Sequence, residues 1–213
     1  VPGGWLGVPL ARLLARRLRC RSVIDNDANV AALGEWRFGA GRGTRHGVYL
    51  TWGTGIGGGI ILNGELLRGA GGSAGEIGHM TLDPRGPRCA CGHRGCLEAF
   101  VGTAAILRQA RWAATPYDVS RAAAAGDQAA RRLWQNMGTH LGTALAGVVN
   151  LLNPECLVIG GGVANAWRWF GPSLRRALQA RAFRAPARAC RISRAACGDS
   201  AGILGAAMLV WDR

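Results

Sequence analysis

A chain of 213 residues, 49% of them hydrophobic, is long enough to bury a core and ordinarily forms one or two domains. Its formal net charge of +14 rests on 26 arginines and no lysine, scattered rather than gathered into a tract, which argues against a dedicated nucleic-acid surface while still drawing anionic ligands. No apolar run reaches the roughly 18 residues of a membrane span, and seven cysteines, an odd number, suit a reducing cytoplasm better than a disulfide framework.

Leu, Ala and Arg at helical spacing predict a helix over residues 7–19, and Ser22-Val23-Ile24 reads as a short buried strand. Asn26 or Asp27 caps a helix over roughly 28–38, with Val30, Leu33 and Phe38 as its apolar side, and Gly39 to Gly43 end it. Residues 48–52 and 59–62 read as paired strands about a glycine turn, and Asn63-Gly64 supplies a tight hairpin return. Beyond a Cys/His loop the chain turns helical, with Asp127 capping a long helix that ends near Asn153-Pro154. Cys156 to Ile159 is a buried strand, Gly160 to Gly162 a turn, and Trp167 to Ala180 an amphipathic helix. Arg191-Ile192-Ser193 is a last strand before a closing helix over about 200–210. Trp134, Trp167 and Trp169 read as core or interface residues. Such alternation predicts an α/β domain with a mixed sheet.

The densest chemistry lies between Gly75-Glu76-Ile77-Gly78-His79 and Cys89-Ala90-Cys91-Gly92-His93-Arg94-Gly95-Cys96-Leu97-Glu98. Zinc takes four thiolate or imidazole ligands in a tetrahedron, and His79, Cys89, Cys91 and Cys96 are the natural four, with His93 a rival. Glycines at 86, 92 and 95 allow the sharp turns that would bring Cys89 and Cys91 to one ion. Ordinary core or disulfide cysteines are the alternative, but three cysteines in eight residues beside Gly and His are hard to explain as packing. Four protein ligands close the site, so the ion would be structural.

These residues resemble the signature of the ROK family of bacterial sugar kinases and sugar-responsive repressors. The resemblance extends upstream to Asn26-Asp27-Ala28-Asn29 and to the glycine loop Gly53-Thr54-Gly55-Ile56-Gly57-Gly58-Gly59, and downstream to Gly160-Gly161-Gly162, so that motifs in family order run from about residue 24 to 163. It implies an actin-like ATPase (ribonuclease H-like) fold, with 1–44 as the tail of an N-terminal lobe and 45–213 as the C-terminal lobe. It also implies phosphorylation of a hexose by ATP with Mg, and a chain that associates with itself.

By the same resemblance Asp27 is the catalytic base, and Asn26, Glu76, His79 and Glu98 contact the sugar. Gly53, Thr54, Gly55 and Gly57 approach the nucleotide phosphates, and Gly161 and Gly162 lie near the adenosine. Asp27 at a helix start is favoured as a carboxylate by the dipole, and is thus a weak base that acts late in the transfer. His79 could place one ring nitrogen on zinc and the other on a sugar oxygen. Blander roles stay open: Asp27 as a mere cap, Glu76 and Glu98 as salt-bridge partners, and both glycine runs as plain turns.

Family kinases open with an Asp-x-Gly-Gly-Thr strand and turn for magnesium and phosphate, a pattern not found in these residues. The expectation is therefore roughly the C-terminal two-thirds of a longer protein, with weak or no activity by itself. The alternative is the non-enzymatic sugar-binding domain of a ROK repressor, which would meet nucleic acid through a separate segment.

Overall fold

The computed structural model describes residues 7–211. Five strands form one mixed sheet in the order β3-β2-β1-β4-β5: β1 (Gly47–Trp52), β2 (Ile56–Leu62), β3 (Glu65–Leu66), β4 (Cys156–Gly160) and β5 (Arg191–Arg194). Strand β2 pairs antiparallel with both β1 and β3, whereas β1 pairs parallel with β4, and β4 with β5. The β2–β3 return uses Asn63 (φ 55°) and Gly64 (φ 81°), the two left-handed residues that a tight hairpin demands.

Helices cover both faces, and strand alternation decides which residues meet them. Val48, Leu50 and Trp52 of β1 and Leu157 and Ile159 of β4 face a core shared with α6 (Gln128–Leu152) and α7 (Trp167–Arg181). There Trp52 sits edge-on to Phe170 at 4.8 Å, and its Nε1 donates to the Val101 carbonyl at 2.8 Å. Asp127 caps α6 by accepting the Ala129 and Ala130 N–H groups, and Asn153 closes the helix in the left-handed conformation just before Pro154.

On the other face α2 (Asp27–Phe38) lies against β1 and β2 and packs on α9 (Ala201–Trp211), with Leu33, Ile61 and Leu209 buried together. The approach is close because Gly57 and Gly59 point at α2. A Cβ on Gly57 would sit 2.9 Å from the Ala28 Cβ, and one on Gly59 would meet the Ala28 carbonyl oxygen at 2.9 Å. Shorter helices complete the chain: α1 (Leu10–Leu18), α3 (Leu97–Val101), α4 (Thr103–Gln109), α5 (Pro116–Ala124) and α8 (Arg184–Ala189). Among the described residues no helix is long and apolar enough to cross a membrane.

Two local expectations need correction. Residues 22–24 form no strand: they join none of the five strands of the sheet, and Ile24 is 48% exposed. Phe38 is also 48% exposed and Val30 only half-buried, so of the expected apolar side Leu33 alone is buried, joined by the small Ala32 at the contact with β2.

Candidate active site and metal cluster

The loop from His79 to Cys96 contains no regular strand, only single bridges between Thr81 and Cys96 and between Arg88 and Arg94. Gly92 (φ 95°) and Gly95 (φ 71°) turn it back on itself, and the Cys89 N–H donates to the His93 carbonyl at 2.8 Å. This folding gathers His79, Cys89, Cys91 and Cys96, whose donor atoms all lie within 4.8 Å of one another. Cys89 Sγ is 3.7 Å from His79 Nδ1, and Cys91 Sγ is 3.6 Å from Cys96 Sγ. Zn–S bonds of about 2.3 Å set tetrahedral edges of about 3.8 Å, so donor chemistry and spacing both fit such an ion. His93 lies outside these four, its Nδ1 3.6 Å from Cys91 Sγ alone.

The thiols are electrostatically mismatched. The His93 backbone N–H, then its ring and the neighbouring thiols, bring Cys91 down to about 6. Burial, then the adjacent sulfurs, push Cys96 up to about 12. A cation would relieve that conflict by stabilising several thiolates at once.

His79 closes a short 3-10 turn over Ile77–His79. With Nδ1 directed at Cys89, its Nε2 stands 3.9 Å from Glu76 Oε2. Cys96 immediately precedes α3, so the loop leads straight to Glu98 in that helix's first turn. Glu98 Oε2 accepts the Ile56 N–H at 2.8 Å, and its Oε1 is 3.9 Å from Cys89 Sγ. One carboxylate thus ties the metal loop to the start of β2.

Asn26 caps α2, its Oδ1 accepting the Ala28 and Asn29 N–H groups at 2.9 and 3.3 Å. Its amide NH2 is what remains to meet a ligand. Asp27 is the first helical residue; its Oδ1 accepts the Ala28 N–H at 2.8 Å, and no other hydrogen bond reaches it among the described residues.

Asp27 lines a cleft of about 260 Å³ with Tyr49, Thr51, Gly160–Gly162, Asn165, Arg194 and Asp199. Tyr49 is pushed up to about 12, first by burial and then by Glu35, so its hydroxyl stays protonated there. Gly161 (φ 82°) turns the chain out of β4 into this cleft.

Gly53, Thr54 and Gly55 form the β1–β2 turn, closed by the Gly53 N–H donating to the Gly55 carbonyl at 3.0 Å. Thr103 Oγ1 donates to the Gly53 carbonyl at 2.7 Å, while Thr54 is exposed. Gly57 lies inside β2 opposite Thr51 rather than in the turn. None of these four lines the Asp27 cleft, and Glu76 lies instead beside an apolar groove with Ile77, Met80 and Leu151.

Sequence reasoning missed two buried supports. Asp25 accepts from Asn29 Nδ2 at 2.9 Å, the Asn26 N–H at 2.9 Å and Arg68 Nε at 2.8 Å. Burial pushes its carboxyl up, but these three donors outweigh that and hold it below the ordinary carboxylate value. Glu35, 1% exposed, accepts three backbone N–H groups, from Ala40, Ala196 and Cys197. The Gly34-Glu35 pair at a helix end was the only visible signal for it. Arg68, Arg194 and Asp199 carried none, being distant in sequence from what they meet.

The family model described as "ROK family" matches residues 3–213. A glucokinase of Halalkalibacterium halodurans is 38% identical over 226 residues, covering 97% of this chain and 68% of that protein. The xylose repressor of Bacillus subtilis is 31% identical, covering 98% of this chain and 55% of the repressor. Among solved structures, the ROK hexokinase from Thermus thermophilus superposes with a TM-score of 0.84 at 40% identity, covering 95% of this chain and 70% of that one.

Proposed function

The chain belongs to the ROK family, with the actin-like ATPase fold of its structural neighbours, and on that premise we propose that the full-length protein transfers the terminal phosphoryl group of Mg-ATP to a hexose hydroxyl. One arrangement carries this reading. Asp27 lies in the wall of the glycine-lined cleft, and the next residue, Ala28, packs on Gly57, adjacent to Ile56, whose amide Glu98 holds. The candidate base, the β1–β2 turn and the metal-loop carboxylate are thereby joined across two residues of β2.

In this reading the hexose lies between Asp27 and the Glu76, His79 and Glu98 side, with Asn26 Nδ2 donating to a neighbouring hydroxyl. Asp27 accepts the hydroxyl proton at its unengaged Oδ2 as the bond to phosphorus forms. Backbone N–H groups of Gly53, Thr54 and Gly55 approach the phosphates, and Gly161 and Gly162 bound the adenosine side. His79, Cys89, Cys91 and Cys96 would hold zinc, which supplies structural charge to order the loop and directs the free Nε2 of His79 toward a ligand. The division into 1–44 and 45–213 belongs to the same proposal.

A second reading, a sugar sensor without catalysis, is favoured by the likeness to the xylose repressor. Replacing Asp27 with Asn separates the two. The kinase reading expects turnover to fall by about 10² to 10⁴ with hexose binding retained. An unchanged rate removes Asp27 as the base, and hexose binding without any transfer by the parent protein favours the sensor.

A further inference from the structure

Helix α2 lines the Asp27 cleft with Asp27 and Ala31, and its C-terminal half reaches the cleft wall indirectly, through hydrogen bonds from Glu35. Its first residue, Asp27, lines the wall, and its last full turn carries the buried Glu35. Glu35 Oε2 accepts the Ala40 N–H at 2.8 Å and the Ala196 N–H at 3.0 Å, while Oε1 accepts the Cys197 N–H at 2.6 Å. Ala196 and Cys197 belong to the segment that leaves β5 and enters α9. Just before them, the Ala195 N–H donates to the Ile159 carbonyl at 2.8 Å, and just after them Gly198 (φ 53°) turns the chain. Arg194, Ala195, Gly198 and Asp199 of this segment line the cleft beside Gly160–Gly162.

We infer that Glu35 is a positioning residue for the phosphoryl donor: its carboxylate sets the backbone of residues 195–199 against Gly160–Gly162 and fixes that side of the cleft relative to Asp27. The inference rests on reading this cleft as the nucleotide side. Glu35 lies eight helical steps beyond Asp27, about 12 Å at the helical rise, so one rigid element couples the donor wall to the candidate base. The charge matters as well as the shape. A carboxylate offers only acceptors to the three converging donors, whereas a Gln amide has one acceptor oxygen and would turn its NH2 toward N–H groups.

The test compares Glu35→Gln with the parent full-length protein by calorimetric titration with Mg-ATP and, separately, with glucose. Metal content is measured in both. Asp127→Ala, which removes a helix cap that does not line the cleft, serves as the control for general destabilisation. Mg-ATP affinity is expected to fall about tenfold in Glu35→Gln, with glucose affinity and metal content unchanged and no donor effect in the control. Should Glu35→Gln fail to fold, Glu35→Asp keeps the charge but loses reach, and the same selective loss is expected. Unchanged Mg-ATP affinity in a folded variant overturns the inference, as does an equal loss for both ligands. A parent protein that binds glucose but not Mg-ATP overturns the reading of the cleft and this inference with it.

Discussion

The two halves of the candidate site are held together by different means. The His79–Cys96 loop has single bridges in place of a ladder, and backbone hydrogen bonds such as that from the Cys89 N–H to the His93 carbonyl bring four potential metal donors within 4.8 Å. The Asp27 cleft is built on strand ends and helix ends, fixed by groups of the chain itself: the buried Glu35 on one side and the exposed Asn26 cap on the other. If zinc fills the cluster as proposed, the loop it orders should fail as a unit when the ion leaves, whereas the cleft should yield only to changes in the chain.

The largest break in that comparison comes from the metal. Chelation, or Cys96→Ser, is expected to lower hexose affinity by about 10- to 100-fold and to expose the 79–98 loop to proteolysis, with Mg-ATP affinity retained. Metal analysis with paired titrations checks this, and equal loss for both ligands would erase the distinction between the halves. Glu98→Gln probes a side chain that touches both the loop and β2. It keeps an acceptor for the Ile56 amide but loses its charge, so hexose affinity should fall by roughly three- to tenfold without metal loss.

The smallest effect concerns the support under Asp25. Its folded carboxyl sits below the ordinary value, so its contribution to stability is present above the unfolded value and lost as pH falls through the lower folded one. Arg68 is partly exposed, at 38%, which screens the pair. Arg68→Ala should cost about 0.2–1 kcal/mol near pH 7, and its difference from the parent should shrink as pH falls below about 4. Urea melts at both pH values check this; a constant difference would assign Arg68 to packing alone.

Features set by neighbouring residues were legible in the sequence. The Asn63-Gly64 return, the Asp127 cap and the Cys156 strand each follow from a few adjacent side chains, and the spacing of His79, Cys89, Cys91 and Cys96 pointed to the cluster they form. The α5 capping box, in which Thr115 and Asp118 exchange hydrogen bonds with Pro116 at the first helical position, was equally local but went unread. What depends on partners far along the chain was not legible. Ser22 to Ile24 contains strand-forming residues but pairs with no strand, and Gly57 serves helix packing from within a strand although it sits in a glycine-rich run. Glu35 meets amides 161 and 162 residues away, a relation that no local pattern encodes.

The most direct test of the kinase reading is phosphorus NMR of the full-length, metal-replete protein mixed with Mg-ATP and glucose. The account predicts a sugar-phosphate signal growing as the ATP γ signal declines, abolished by Asp27→Asn. Glucose binding with no such transfer would contradict it and identify the chain as part of a sugar sensor.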